Sequence, residues 1–311
     1  VVGEEPVIGA SRTLELMGAR LHYVDYRGVD YRGVGSGPTM VLVHGLGGSH
    51  LNWDLLAPRL AGAARVFALD LPGFGLSAPT GRPATVRSNL RVLTAFVERI
   101  VQPPVVLVGN SMGGVVSILV TADRPDLVRN LVLLDPALPA AGGVLRSPAD
   151  VWTLAIHAVP GIGELVRRTH RDRIGALATV RETLHRCGVD EASLPAGLLE
   201  RSVALAARQS EVAGLDRAHL SASRSLAWTL ARTRRYYSAM ASITAPVLLV
   251  HGTADGMVPV AAARTTVRRY PAWSYQELEG AGHLPQLQFP DRVAGLILDW
   301  LDESAPPGHQ R

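Results

Sequence analysis

The chain has 311 residues, 47% of them hydrophobic and 19% charged, with a formal net charge of +4. That balance fits one large α/β domain or two small ones and excludes disordered and collagen-like chains. All 31 basic residues are arginine, which excludes a lysine Schiff base and a phosphate-binding loop built on Gly-Lys-Ser/Thr.

The arginines are scattered and form no long run, so nucleic acid is not an expected partner. Cys187 is the only cysteine, leaving no disulfide framework or cysteine-based metal site; a small, buried, inert thiol is its expected role. No apolar run reaches the length of a membrane span. Val1 to Ala10 carries two glutamates and no cationic start with an apolar stretch, so no intact signal peptide is visible and a cytoplasmic address is expected, with a removed signal left open.

In chain order, strand-like segments at Thr13 to Leu16 and Arg20 to Tyr26 flank Met17-Gly18 and predict an opening hairpin. DYRGV then occurs twice, at Asp25 to Val29 and Asp30 to Val34, and reads as a local duplication lengthening a surface turn. From Thr39 the pattern is regular. Met40 to Val43 is a short apolar strand, Asn52 to Leu60 a helix, and Arg65 to Gly73 a strand. Val86, Leu90, Leu93, Val97 and Ile100 recur at helical spacing. A strand at Val105 to Val108, a helix after Ser111 and a strand at Asn130 to Ala137 follow. Alternation of helices with continuously apolar strands predicts a parallel sheet covered on both faces.

Between about Ala140 and Thr244 no strand pattern survives, only Ala-, Leu- and Arg-rich segments at helical spacing. So long an insertion is not a loop, and it predicts a helical cap over residues 140–244 beside a core of 1–139 and 245–311. The cap carries 14 arginines against 9 acids. These are expected to solvate outer helix faces, with attraction of anionic substrates as the alternative. Strands resume at Ala245 to Gly252 and Trp273 to Leu278, with helices at Val260 to Tyr270 and along Val293 to Leu301. Residues after Ser304 read as a frayed tail.

Gly109-Asn110-Ser111-Met112-Gly113 matches G-x-S-x-G and falls where a strand passes into a helix. Such a bend exposes a serine hydroxyl, and the new helix turns its free N–H groups and positive dipole end toward it. A serine needs a base, and the base an orienting acid. Asp255 follows the strand Val247 to Val250, and His283 lies in a Gly-His loop after the last strand. Strand ends of an open parallel sheet share one crevice, so Ser111, Asp255 and His283 are expected to converge. Asp135, ending the preceding core strand, is the alternative acid. His44 and His251 read as structural, hydrogen-bonded residues; His157, His170, His185 and His219 are expected to pack or face solvent. No group has metal-ligand spacing, and neither metal nor cofactor is expected.

Four motifs together resemble the α/β-hydrolase fold family: His44 to Ser49 (HGLGGS), Asp70 to Ser77 (DLPGFGLS), Gly109 to Gly114 (GNSMGG), and the pair HGTAD with GH. The likeness covers Leu21 to Leu138 and Ala245 to Leu301. It implies a mostly parallel eight-stranded sheet with helices on both faces and an inserted cap. It also implies Ser111 as nucleophile, His283 as base, Asp255 as acid, and an oxyanion hole from the backbone N–H groups of Leu46 and Met112. Serine at the elbow argues against the epoxide-hydrolase and haloalkane-dehalogenase branches, which use aspartate there. Carbon–carbon hydrolases share the GNSMGG elbow but usually carry tryptophan where this chain has Leu284. The expected substrate is a moderately hydrophobic small-molecule carboxylic ester; the alternatives are a 1,5-diketone and a receptor that retains the triad with little turnover. Trp53, Trp152, Ile156, Leu226, Trp228 and Leu284 are candidates to line the substrate pocket.

Overall fold

The structure is a computed structural model that describes residues 9–26, 37–79, 83–139, 159 and 161–304. The DYRGV duplication, Trp152, Ile156, His157 and the C-terminal tail lie largely or wholly outside them. Eight strands form one sheet: β1 (Ala10–Leu16), β2 (Ala19–Tyr26), β3 (Thr39–Val43), β4 (Arg65–Leu69), β5 (Val105–Asn110), β6 (Val128–Leu134), β7 (Val247–Gly252) and β8 (Ser274–Leu278). Their order is β1-β2-β4-β3-β5-β6-β7-β8. β1 and β2 pair antiparallel, as do β2 and β4, and every pairing from β4 through β8 is parallel. Met17 and Gly18 sit at φ 54° and 75°, the positive values that a two-residue hairpin with primed turn geometry requires.

The continuous apolar strands divide their side chains between two cores by the two-residue period of a strand. Val41, Val43, Val105 and Leu107 face one core with α2 (Val86–Phe96), α3 (Met112–Asp123) and part of α8 (Val260–Arg269). Met40, Leu42, Val106 and Val108 face the other with α1 (Ala57–Leu60) and α10 (Pro290–Glu303). In α10, Val293, Ala294, Ile297 and Trp300 are buried, the stripe expected of an amphipathic helix.

The helix expected over Asn52 to Leu60 is instead a 3-10 turn, His50–Trp53, followed by the separate short α1. Pro58 has no N–H and crowds the carbonyl four residues earlier, so one continuous helix cannot pass through it. The strand expected to run to Gly73 ends at Leu69, and the one expected to run to Ala137 ends at Leu134. Buried aspartates, Asp70 and Asp135, follow both strands and turn the chain out of the sheet.

Between β6 and β7 the described chain is helical: α4 (Ile162–Arg186), α5 (Ala196–Ser210), α6 (Leu215–Ala231) and α7 (Thr233–Ala241), with a 3-10 turn at Glu191–Ser193. α4 is broken at Gly175, whose φ of 78° and ψ of 173° suit only glycine. Leu184, Cys187, Val189 and Leu198 of this segment pack with Leu51, Leu284 and Leu287 of the core in a third apolar cluster. After β8 come the single turn α9 (Pro285–Gln288) and α10.

The bend between β5 and α3 depends on close backbone approach. A Cβ on Gly113 would lie 2.0 Å from the Val43 carbonyl oxygen and 2.6 Å from that of His44. Neither backbone atom is at a flexible end, so β3 would have to shift. Gly113→Ala is expected to destabilise the fold by roughly 3 kcal/mol or more, read as a lower urea midpoint at unchanged slope. A variant as stable as the parent would contradict this packing.

Candidate active site

Ser111 occupies the single residue between β5 and α3 at φ 53°, ψ −118°. A non-glycine residue there costs about 1–3 kcal/mol and persists only where its surroundings fix it. The surroundings do so. Its N–H donates to the Leu134 carbonyl (3.3 Å), and its own carbonyl accepts from Val115 (3.2 Å) and Ala137 (3.2 Å). On the other side, a Cβ on Gly45 would stand 3.0 Å from the Ser111 Cβ, so the loop after β3 runs directly against the serine. Among the described residues, the N–H groups of Leu46 and Met112 have no protein acceptor. Met112 opens α3, where the first N–H groups of a helix are free by geometry.

His283 is held from three directions. Its Nδ1 lies 2.7 Å from Asp255 Oδ2; a carboxylate only accepts, so Nδ1 carries the hydrogen and Nε2 is left with its lone pair. Its backbone N–H donates to the Cys187 carbonyl at 2.8 Å. Its carbonyl accepts from Asn110 Nδ2 at 3.1 Å, which ties the residue before Ser111 to the histidine loop. Asp255 Oδ1 accepts the N–H groups of Met257 (2.7 Å) and Val258 (2.9 Å), a local turn that aims the other oxygen at the imidazole.

Asp135, the alternative acid, is fully buried beside this pair. Its Oδ1 accepts the Gly252 N–H at 2.9 Å, not a hydrogen of His283. The two carboxylates are pushed apart in proton affinity. Burial, then the charge of Asp255, raises Asp135 well above the usual carboxylate range. Burial also acts to raise Asp255, but the His283 hydrogen bond and the two backbone donors outweigh it and hold this acid low. Of the two, Asp255 is therefore the stronger acid and the one that keeps its negative charge to lower pH.

Ser111 and His283 both line a cavity of about 330 Å³. One wall comes from the sheet edge and the loop after β3 (Gly45, Leu46, Gly47, Leu51), joined by Leu284 and Leu287 from the segment that follows His283. The facing wall is helical, with Val180, Leu184, Leu198, Leu205, Leu215 and Leu226 among its members. Leu284 and Leu226, two of the candidates for the pocket, are cavity residues. Two tryptophans are not. Trp53 is fully buried in the core under the sheet with Leu56 and Leu60, because the turn that carries it points inward. Trp228 is 60% exposed, with the Arg232 guanidinium 4.3 Å over its ring. His219, expected to pack or face solvent, lines the cavity against Gly47.

His44 and His251 are hydrogen-bonded inside the core and His170 is exposed, the places the sequence suggests for them. His44 is buried, with Nδ1 2.7 Å from the Gly45 carbonyl and Nε2 accepting the Leu71 N–H at 3.0 Å. His251 is buried with Nε2 donating to the Val258 carbonyl at 2.9 Å; burial lowers the proton affinity of both rings. His170 is exposed beside Glu182. Cys187 is buried, and desolvation raises its thiol to about 11, so it stays protonated.

One part of the support was not legible in the sequence. Asp70, fully buried after β4, accepts from His22 Nδ1 (2.8 Å), His50 Nδ1 (2.8 Å), the His50 N–H (2.6 Å) and the Leu76 N–H (2.8 Å). It pins the far end of the loop that begins at His44. Burial opposes the Asp70 charge, yet the two imidazoles win and hold the acid far below its ordinary range. His50 is likewise opposed by burial and raised on balance by Asp70.

These opposite shifts fix the sign of a pH effect. The depressed Asp70 contributes stability above about pH 4 that is lost in acid. The raised His50 contributes stability that is complete below about pH 6.5 and fades as pH rises through its folded-state value. Asp70→Asn is expected to cost roughly 3–5 kcal/mol, since it strands two buried imidazoles. For His50→Gln, the stability deficit against the parent shrinks between pH 6 and pH 9 in urea titrations; a deficit growing over that range would contradict the assignment.

Residues 40–296 match the model of the alpha/beta hydrolase family. The chain is 28% identical over 290 residues to the magnesium-chelatase 30 kDa subunit of Rhodobacter capsulatus, covering 91% of this chain and 93% of that protein. It is 30% identical over 274 residues to the pyrrolizixenacetamide deacetylase of Xenorhabdus hominickii, covering 86% and 92%. It is 29% identical over 272 residues to the pimeloyl-[acyl-carrier protein] methyl ester esterase of Yersinia pseudotuberculosis, covering 85% and 93%. With the family model spanning most of the chain and the sheet order and elbow in place, this protein belongs to the alpha/beta hydrolase family.

Proposed function

We propose that the protein hydrolyses carboxylic esters of small molecules through an acyl-enzyme on Ser111. The observation that carries this reading is the meeting, on one cavity, of a serine fixed at a strained strand–helix bend and an imidazole whose far nitrogen is held by Asp255. Relatives named as a deacetylase and a methyl ester esterase support acyl transfer to water.

In this mechanism His283 Nε2 takes the Ser111 proton as Oγ attacks the ester carbonyl. The backbone N–H groups of Leu46 and Met112 stabilise the oxyanion, each worth roughly 3–4 kcal/mol in the transition state. The imidazolium then protonates the departing alkoxide, and water, deprotonated by the same ring, releases the acid and regenerates the hydroxyl. Asp255 stays ionised throughout, fixing the ring tautomer and balancing its transient charge. The α4–α7 segment serves as the cap: its leucines close the cavity over the serine and present an apolar wall to the ester.

Ser111→Ala is expected to abolish turnover of p-nitrophenyl esters in steady-state assays, and full activity in that variant would refute the site. Asp255→Asn is expected to lower kcat by roughly 10³–10⁴-fold through the wrong tautomer. Asp135→Asn keeps activity within about tenfold, because Asp135 accepts from the Gly252 N–H and not from the imidazole, which bonds Asp255. The reverse ranking of the two aspartates would transfer the acid's role to Asp135. Release of one product per protein, then arrest, would indicate a receptor rather than an esterase.

A further inference from the structure

The cavity has an unbalanced charge. Arg167, Arg171 and Arg186 line it together with Ser111 and His283, and among the described residues no carboxylate lines it. Arg167 and Arg171, both partly buried, and the more exposed Arg186 on the rim of this leucine-rich space differ from arginines that only solvate an outer helix face, as the sequence suggested for this segment.

Their convergence is a product of the break at Gly175. In an unbroken helix, positions 167 and 186 would stand about 28 Å apart, at 1.5 Å per residue. The break folds the two halves of α4 toward each other, and His170 Nε2 consequently lies 3.1 Å from Glu182 Oε2 across it. Arg167 and Arg186 are close enough for the charge of one to act on the other: burial first, then Arg171 and Arg186, weaken the Arg167 hold on its proton, against the pull of Asp216.

Neutralisation within the protein is incomplete. Arg171 Nη1 pairs with Asp216 Oδ1 at 2.6 Å, and Arg167 Nε stands 3.2 Å from the same oxygen without hydrogen-bonding alignment. Asp216 is thus shared by two guanidiniums; the other carboxylate near them, the half-exposed Asp172, stands 3.6 Å from Arg171 Nη2 and is itself shared with Arg168. Arg171 is only 11% exposed at its side chain, and its Nε has no partner among the described residues. No ion pair of Arg186 with a described residue is present.

Building on the ester reading, we propose that the substrate carries an anionic group, a carboxylate or a phosphate, separated from the scissile ester by an apolar chain and received by Arg167, Arg171 and Arg186. The leucine wall accommodates the chain, and the planar guanidiniums present paired N–H donors to the oxyacid.

The test compares three p-nitrophenyl octanoate derivatives that differ only at the distal carbon: a carboxylate, a phosphonate and a trimethylammonium group, with the unsubstituted ester as reference. The expected kcat/KM for an anionic ester exceeds the reference by about tenfold to a hundredfold, the size of a charge-assisted hydrogen bond. The trimethylammonium ester is the poorest. The preference falls severalfold in 0.5 M NaCl and about tenfold in Arg186→Gln and Arg171→Gln, read as the ratio of anionic to neutral rates. The order of carboxylate and phosphonate identifies which oxyacid the site takes.

Titration calorimetry on Ser111→Ala separates this inference from the chemistry beneath it, with monomethyl octanedioate against methyl octanoate as probes. Ester turnover without anionic preference, and equal affinity for the two probes, would overturn the anion site and leave the esterase standing. Tighter binding of monomethyl octanedioate, lost in the double variant with Arg186→Gln, would uphold the anion site even if no ester were turned over.

Discussion

A serine at φ 53° does not hold itself there. The structure supplies the constraint by crowding: Gly109 and Gly113 bring α3 against β3 and β5 so closely that a Cβ at either would meet backbone atoms under 3 Å away. Hydrogen bonds from β6 and from the turn after it then fix the peptide on both sides of Ser111. The strain, about 1–3 kcal/mol, is thereby offset by packing across the whole central sheet. Everything else about the site takes its bearings from that bend. The Gly45 loop runs against it, the start of α3 leaves a free N–H beside it, and Asn110 reaches from it to the His283 carbonyl.

Three aspartates follow β4, β6 and β7, and each is buried, but their environments differ. Asp70 is surrounded by four donors and holds its charge. Asp255 has two backbone donors and an imidazole and also remains charged. Asp135 has one backbone donor and a charged neighbour, and its hold on a proton is strengthened instead. The number of donors, more than depth of burial, decides which carboxyl is the stronger acid. The two charged ones sit where a loop must be held: one beneath the loop after β3, the other beneath the imidazole.

The sheet was legible because its signals are local, and Ser111, Asp255 and His283 could be grouped because each follows a strand that ends at the same edge of the sheet. Parallel strands buried on both faces read as unbroken runs such as Val105 to Val108, and a serine between close-packed glycines marks the turn that follows. His44 and His251 were legible as structural from their place at strand ends. The Asp70 clamp was not, because His22, His50 and Asp70 come from three separate segments with no shared period. Nor was the wall of the cavity. Helical spacing says which residues share a face but not what the face opposes, so Trp53 and Trp228 looked as eligible as Leu226. Gly175 was hidden for the opposite reason: a helical pattern continues across it, and only its backbone angles reveal the fold-back that gathers the arginines.

The central claim is that Ser111 is a nucleophile activated by His283, and covalent capture tests it most directly. Incubation with a fluorophosphonate, followed by intact-mass measurement and peptide mapping, is expected to give one adduct per chain, on Ser111. The same reagent is expected to label His283→Ala at least a hundredfold more slowly. An unmodified chain, an adduct on another residue, or equal labelling rates with and without the imidazole would contradict the account.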